Sequence, residues 1–178
     1  LEEEGTTGEL ASPILELPLA HGHVWGVAFS PDGRLLATCG EPVDFRRDGV
    51  ERGGLAGPDS GLLKIWDVKT GERKIDLKGG HNSLVTGVAF SPDGKMLASA
   101  GYWWDGPNTS GNGAKVWDPL TGKKLTEILI PKNRNPFSIG FSPDGEQLVI
   151  GVVHHRNEDN VIRGSINIVN VRDVAVDL

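Results

Sequence analysis

Val88-Ala89-Phe90-Ser91-Pro92-Asp93-Gly94 is an apolar run that ends in Phe and breaks into Ser-Pro-Asp-Gly, and the chain writes it three times. The other copies are Val27-Ala28-Phe29 before Ser30 to Gly33 and Ile139-Gly140-Phe141 before Ser142 to Gly145. With the three Phe residues in register, the segments behind them align as well: Arg34 to Gly40, Lys95 to Gly101 and Glu146 to Gly151. Asp-Gly between two β-type runs predicts a hairpin, because Gly accepts the positive φ that tight turns need. Each copy therefore begins as strand A, turn, strand B. Strand A is apolar on one parity and tiny on the other (Gly26 and Ala28, Gly87 and Ala89, Ser138 and Gly140), so both of its faces are expected to be buried.

A third strand is read at Leu62 to Asp67 and Ala114 to Asp118, each followed by a Thr-Gly turn and a fourth run, Lys74 to Leu77 and Lys124 to Ile130. Four antiparallel strands per copy make a propeller blade, and the fold class is all-β. Gly80-His81, the Ser-Pro-Asp-Gly turns, Lys64-Ile65-Trp66-Asp67 and Lys115-Val116-Trp117-Asp118 resemble the WD40-repeat family of β-propellers in its bacterial style. The resemblance runs from about Pro13 to Val171, and in the third copy Val169-Asn170 replaces the Trp-Asp pair. In that family a His, a Ser or Thr on strand B, an Asp and the Trp tie a blade together. The resemblance thus implies one structural network of His81, Ser99 and Trp117 and another of Thr38, Trp66 and either His21 or His23, with only Asp59 near the expected acidic position.

Pro13 to Leu19 aligns with the fourth strands, so an acidic segment (1–12) is expected to lead into an orphan strand D (13–19) and blades near 23–78, 84–130 and 136–171. The register is shifted: strand D comes first, and the last blade ends after A, B and C, twelve strands in all. Three blades do not close a ring, and an open arc exposes two flanks of roughly several hundred Å² each, more than a monomer in water usually tolerates. The expectation is self-association, a dimer of six blades or a trimer of nine, in which the orphan strand of one chain completes the last blade of the next. The competing expectation is a piece of a longer multi-blade or multidomain bacterial protein.

The motifs are 61 and then 51 residues apart, against about 40–45 for a blade of this kind. The excess falls between strands B and C: Glu41 to Gly61, Tyr102 to Gly113, and Val152 or Val153 to Gly164. In an up-and-down meander these insertions emerge on one side, where a rigid scaffold commonly binds. The second contains Tyr102-Trp103-Trp104; adjacent residues of an extended segment point opposite ways, so both Trp side chains do not share one core. Burying a Trp removes on the order of 200 Å² from water, about 5 kcal/mol gross at ~25 cal/mol/Å², so an exposed one marks a contact surface. Packing under neighbouring insertions is the competing reading. His154-His155 and Arg46-Arg47 complete the candidate binding set. Adjacent His residues are poor joint ligands, so no metal is expected, and Arg46-Arg47 lie between Asp44 and Asp48 as local ion pairs or an acidic-ligand site.

The composition sets limits. With 178 residues, 38% hydrophobic, mean hydropathy of -0.23, a formal charge of -6 and pI near 5.3, the chain lacks the basic field that nucleic acids or anionic membranes select. Gly and Pro, 25 and 11 residues, favour many short turns. There is no window of 18 apolar residues. Leu1 to Leu10 carries four Glu in place of a leader pattern, and Cys39, the one cysteine, reads as a small core residue; the expected location is cytoplasmic. No nucleophile, phosphate-loop or paired-carboxylate pattern stands out and no cofactor is implied. The expected function is a noncatalytic scaffold that binds a protein or peptide through the insertion-bearing face. The alternative is a propeller enzyme or small-ligand binder using the same loops.

Overall fold

The computed structural model describes residues 14–17, 22–42, 63–77, 81, 84–104, 110–131, 134–154 and 163–173, with the backbone alone at 22, 41, 42, 103, 104 and 110. The strands are β1 (Gly22–Phe29), β2 (Leu35–Pro42), β3 (Lys64–Asp67), β4 (Arg73–Asp76), β5 (Val85–Phe90), β6 (Leu97–Trp104), β7 (Ser110–Trp117), β8 (Lys124–Leu129), β9 (Arg134–Phe141), β10 (Gln147–His154) and β11 (Arg163–Asn170). They form three antiparallel meanders, β1-β2-β3-β4, β5-β6-β7-β8 and β9-β10-β11. The first strands of successive sheets, β1, β5 and β9, lie side by side, so the sheets fan out as blades along an arc. Among the described residues no α-helix occurs, and a 3-10 turn (Val171–Asp173) follows β11.

The repeated tetrapeptide builds one turn three times. Ser30 Oγ donates to Asp32 Oδ1 at 2.6 Å and accepts from the Leu35 amide at 2.9 Å, while Asp32 Oδ1 accepts from the Arg34 amide and Gly33 takes φ 70°. Ser91, Asp93 and Gly94 repeat this, as do Ser142, Asp144 and Gly145. The Asp of each Trp-Asp pair has an equally local role. Asp67 Oδ1 accepts from the Lys69 and Thr70 amides, and Asp118 Oδ1 from the Leu120 and Thr121 amides, fixing the β3–β4 and β7–β8 turns. These hydrogen bonds favour the ionised carboxyls and hold all five below the usual carboxylate range, most strongly through Ser30 at Asp32 and the Thr70 amide at Asp67.

Two apolar seams join the blades. The first packs Ala37, Cys39, Leu63, Ile65 and Leu77 of one blade against Val85, Val88, Leu97 and Trp117 of the next. The second packs Met96, Ala98, Ala114, Val116 and Ile130 against Leu148, Ile150, Val152 and Val171. At the inner edge only tiny residues fit: a Cβ added at Gly87 would meet Ile139 N and Ser138 Cα at 3.3 Å. Cys39 lies inside the first seam, and its burial pushes the thiol up to about 12, consistent with a packing role.

Three expectations need correction. Residues 14–17 form a bend and an unpaired extended stretch where a strand was expected, so the described strands number eleven. Among the described residues no strand lies beside this stretch to supply ladder bonds. Its side chains nonetheless take the expected place: Leu15 Cδ1 lies 3.1 Å from a Cβ built on Gly71, as Ile75 Cγ2 of the first blade lies 2.9 Å from one built on the equivalent Gly122. The second and third insertions are also less loop-like than expected, because β6 and β7 stay paired out to Trp104 opposite Ser110, and β10 and β11 out to His154 opposite Arg163. Alternation and ladder bonding carry these hairpins beyond the blade proper. Finally, the first blade's strand C starts at Lys64, two residues later than expected.

Candidate functional site

The hairpin extensions place several expected residues at the outer end of the second seam. Tyr102, opposite Asn112 on β7, is half-buried and hydrogen-bonds Asn135; burial raises its phenol to about 12. Trp103 and Trp104 stand in register with Gly111 and Ser110 at the end of β6, and their side chains lie outside what the structure describes. His154 ends β10, its Nε2 2.7 Å from Ser165 Oγ. The structure thus brings Tyr102 and His154 to the same end of the second seam, where Asn135, the partner of Tyr102, adjoins Arg134, the register partner of His154. His155, Arg46, Arg47 and His21 lie outside the described residues. Among the described residues no cluster of three or more His, Cys, Asp or Glu is placed to hold a metal ion.

The blade networks differ between copies. In the second blade Trp117 Nε1 donates to Ser99 Oγ at 2.8 Å, and Ser99 Oγ lies 2.9 Å from His81 Nε2. The three fit together when Ser99 accepts from the indole and donates its hydroxyl proton to a neutral imidazole. In the first blade Trp66 Nε1 donates to Thr38 Oγ1 at 2.9 Å, while His23 is exposed at the surface. In the third blade Ile150 stands where Ser99 does and Val169 where Trp117 does, so apolar packing replaces the hydroxyl and indole.

His81 carries a pH signature. Burial, the dominant cause, and the nearby Lys115 ammonium lower it to about 3. The unfolded chain takes up this proton below about pH 6.5 and the folded chain only below about 3, so the unfolded state binds more protons in that window and stability falls as pH falls through it. From pH 6.5 to 5 the loss is about 2 kcal/mol at ~1.4 kcal/mol per unit. Urea midpoints should therefore drop across that range in the parent chain, and His81→Gln should flatten the drop. An equal slope in both removes the assignment.

Sequence reading missed one feature. The β1–β2, β5–β6 and β9–β10 ladders each skip one residue of the inner strand, and the skipped residues are Trp25, Thr86 and Phe137. Bulges re-aim side chains, and Trp25 and Phe137 are 52% and 50% exposed, whereas Thr86 is buried and donates to Pro136 O at 2.8 Å. Trp25 stays exposed although the second blade lies beside it. The bulges fall in the half of each inner strand nearer the insertions, so two half-exposed aromatic residues lie at that end of the inner strands. An alternation count alone gives Trp25 the parity of Val27 and Phe137 that of Ile139, and the ladder shifts break that count.

At the opposite end a cavity of about 290 Å³ is lined by Asp32, Arg34, Leu35, Asp67, Lys74, Pro119 and Leu120. Its charges are already committed: Lys74 pairs with Asp67 at 3.3 Å, Arg34 approaches Asp32 at 3.9 Å, and both carboxylates serve turns.

The outer flanks complete the geometry. Val88, on the leading face of the second blade, is 9% exposed, while Val27 at the same place in the first blade is 60% exposed. On trailing faces Val116 is 1% exposed, and its counterpart Ile168 in the third blade is 61% exposed.

A model of the WD domain, G-beta repeat, matches residues 12–67 and 74–118, more than half of the chain. Among relatives, apoptotic protease-activating factor 1 of Rattus norvegicus is 38% identical over 144 residues, covering 76% of this chain and 9% of that protein. The guanine nucleotide-binding protein subunit beta of Arabidopsis thaliana is 34% identical over 115 residues, 61% of this chain and 28% of that one. The chain thus spans about a tenth of the first of these and under a third of the second. These relatives are eukaryotic, so the bacterial style finds no support in them. Solved structures share the fold: the β-propeller domain of Myceliophteria thermophila Cps50 (Swd1) at TM-score 0.50 and 21% identity, covering 82% of this chain and 39% of that one. The WD40 repeats of RRP9 match at TM-score 0.51 and 15% identity, covering 86% and 40%. Repeated turns, Trp-Asp strands, radial four-stranded sheets and the family match agree, and the chain belongs to the WD40 G-beta repeat family.

Proposed function

We propose that this chain is a noncatalytic protein-interaction module that takes a peptide or protein segment on the insertion-bearing end, with further WD40 blades completing its ring by self-association. The observation that carries the binding reading is the pair of half-exposed, bulge-presented rings, Trp25 and Phe137, on the axial strands at that end. Large rigid aromatics contribute contact area at low cost in side-chain entropy, and they dominate interface energetics. The self-association reading is supported by the flanks, whose residues repeat those of the buried seams.

The test is a peptide array probed with the parent chain and with a Trp25→Ala, Phe137→Ala double variant of unchanged circular dichroism. Loss of each ring is expected to weaken captured peptides by about tenfold or more, about 1.4 kcal/mol per anchor. Peptides held equally by both proteins overturn the reading. Turnover of pooled esters, lactones or glycosides by the parent chain overturns the noncatalytic assignment.

A further inference from the structure

At the insertion-bearing end of the second seam, three strands of the third blade place basic residues in one row. Arg134 on β9, His154 on β10 and Arg163 on β11 are register partners, so their side chains leave the same face of the sheet, the face whose Leu148, Ile150 and Val152 pack on the second blade. Arg134 brings its guanidinium to this face, beside the second blade.

The second blade closes the other side of this mouth with Asn112. Its side chain is 6% exposed, and its Nδ2 donates to the Arg134 carbonyl at 2.6 Å. That bond fixes which end of the amide is which, and it leaves Asn112 Oδ1 buried with no hydrogen-bond partner. Arg134 Nε is likewise buried without one. Buried polar atoms of this kind cost stability until they are satisfied, and native folds keep few of them. The pair is complementary: one acceptor, Asn112 Oδ1, and one cationic donor, Arg134 Nε–H, belong to residues in direct contact. Tyr102 flanks them, standing opposite Asn112 and bonded to Asn135. The Lys115–Glu127 pair, 3.3 Å, involves β7 positions of the other parity and so lies on the far face of the second blade.

We propose that the mouth between the second and third blades is a subsite for a carboxylate adjacent to an amide N–H, the pairing found in an acidic residue of an extended peptide and at a peptide C-terminus. The amide N–H donates to Asn112 Oδ1, and the carboxylate accepts from the Arg134 guanidinium. His154, its Nε2 engaged by Ser165, is held at the edge of the subsite. This rests on the interaction-module reading and supplies the chemistry of the partner, with the inner-strand rings as apolar anchors and this mouth as the acidic one.

The experiment follows the arginine Nε–Hε and asparagine side-chain NMR signals of the whole chain, assigned with Arg134→Lys. Three blocked probes are titrated: acetyl-Gly-Gly-Asp-Gly-Gly-amide, the same peptide with Asn in place of Asp, and acetyl-pentaglycine with a free carboxyl end. The Asp peptide is expected to shift the Arg134 and Asn112 signals, to lose at least about tenfold in affinity on Arg134→Gln, and to weaken with added salt as charge pairs do. The Asn peptide is expected to leave both signals in place. Shifts from the free-carboxyl probe alone support the site and assign it to chain ends. His154→Ala, at the edge, gives a milder second variant should Arg134→Gln fail to fold. Equal shifts produced by the Asp and Asn peptides, or no response to any probe, overturn the proposal. Array peptides lacking acidic residues that still depend on Trp25 and Phe137 would remove this subsite while leaving the interaction module standing.

Discussion

Gly113→Ala is expected to lower the unfolding free energy by about 4 kcal/mol, in the exceptional range reserved for backbone clashes and lost pairing. Gly113 holds φ 154°, and a Cβ built there would meet the Ile128 carbonyl oxygen at 2.0 Å and the Ile130 amide at 3.3 Å. Neither atom belongs to a movable side chain, so the β7–β8 ladder must open at Gly113 opposite Leu129. The opening also strips Ile130 from the second seam. Gly140→Ala is the control: nothing lies within 4 Å of its Cβ position, and Ala28 and Ala89 fill the equivalent places in the other copies. It should be neutral or stabilise by about 0.5 kcal/mol through the unfolded state. Urea denaturation of the three proteins measures the contrast, and a Gly113→Ala loss no larger than that of Gly140→Ala contradicts the ladder geometry.

The second large effect concerns assembly. Phe29→Glu on the leading flank, or Ile168→Glu on the trailing one, is expected to reduce the particle to the 19.0 kDa protomer, while the unsubstituted chain runs at a multiple of that mass in light scattering. Each apolar side chain moved from these exposures to those of the inner seams contributes roughly 2 kcal/mol, and a charge at either place forfeits that and adds a desolvation penalty. Head-to-tail contact makes the two variants equivalent, because the leading flank of one copy meets the trailing flank of the next. An unsubstituted chain that scatters as 19.0 kDa ends the self-association reading and leaves the flanks to other WD40 blades.

Much of the blade is legible in the sequence. Ser-Pro-Asp-Gly fixes its turn through contacts among Ser30, Asp32 and Leu35, all within five residues, and local chemistry of this kind survives in any context. The Trp66 and Trp117 positions were equally readable, since each Trp-Asp pair sits between an alternating strand and a Thr-Gly turn. Less legible was the reach of the hairpins. Tyr102 to Trp104 and Ser110 to Gly113 look like insertion by composition, yet they continue the β6–β7 ladder, because cross-strand bonding outweighs the weak strand preference of Gly111 and Asn112. The bulges at Trp25 and Phe137 left no trace in the alternation pattern.

Sequence alone determined the repeated turns, the Trp-Asp strands and the loss of that pair in the third copy, since each depends on neighbours along the chain. Tertiary structure alone decided which side chains meet across a seam: that Asn112 faces Arg134, that Gly87 lets β5 approach β9, and that Val27 and Ile168 stay exposed while Val88 and Val116 are buried. The repeat gives these positions similar residues, and only the presence or absence of an adjoining sheet separates a core residue from a contact surface.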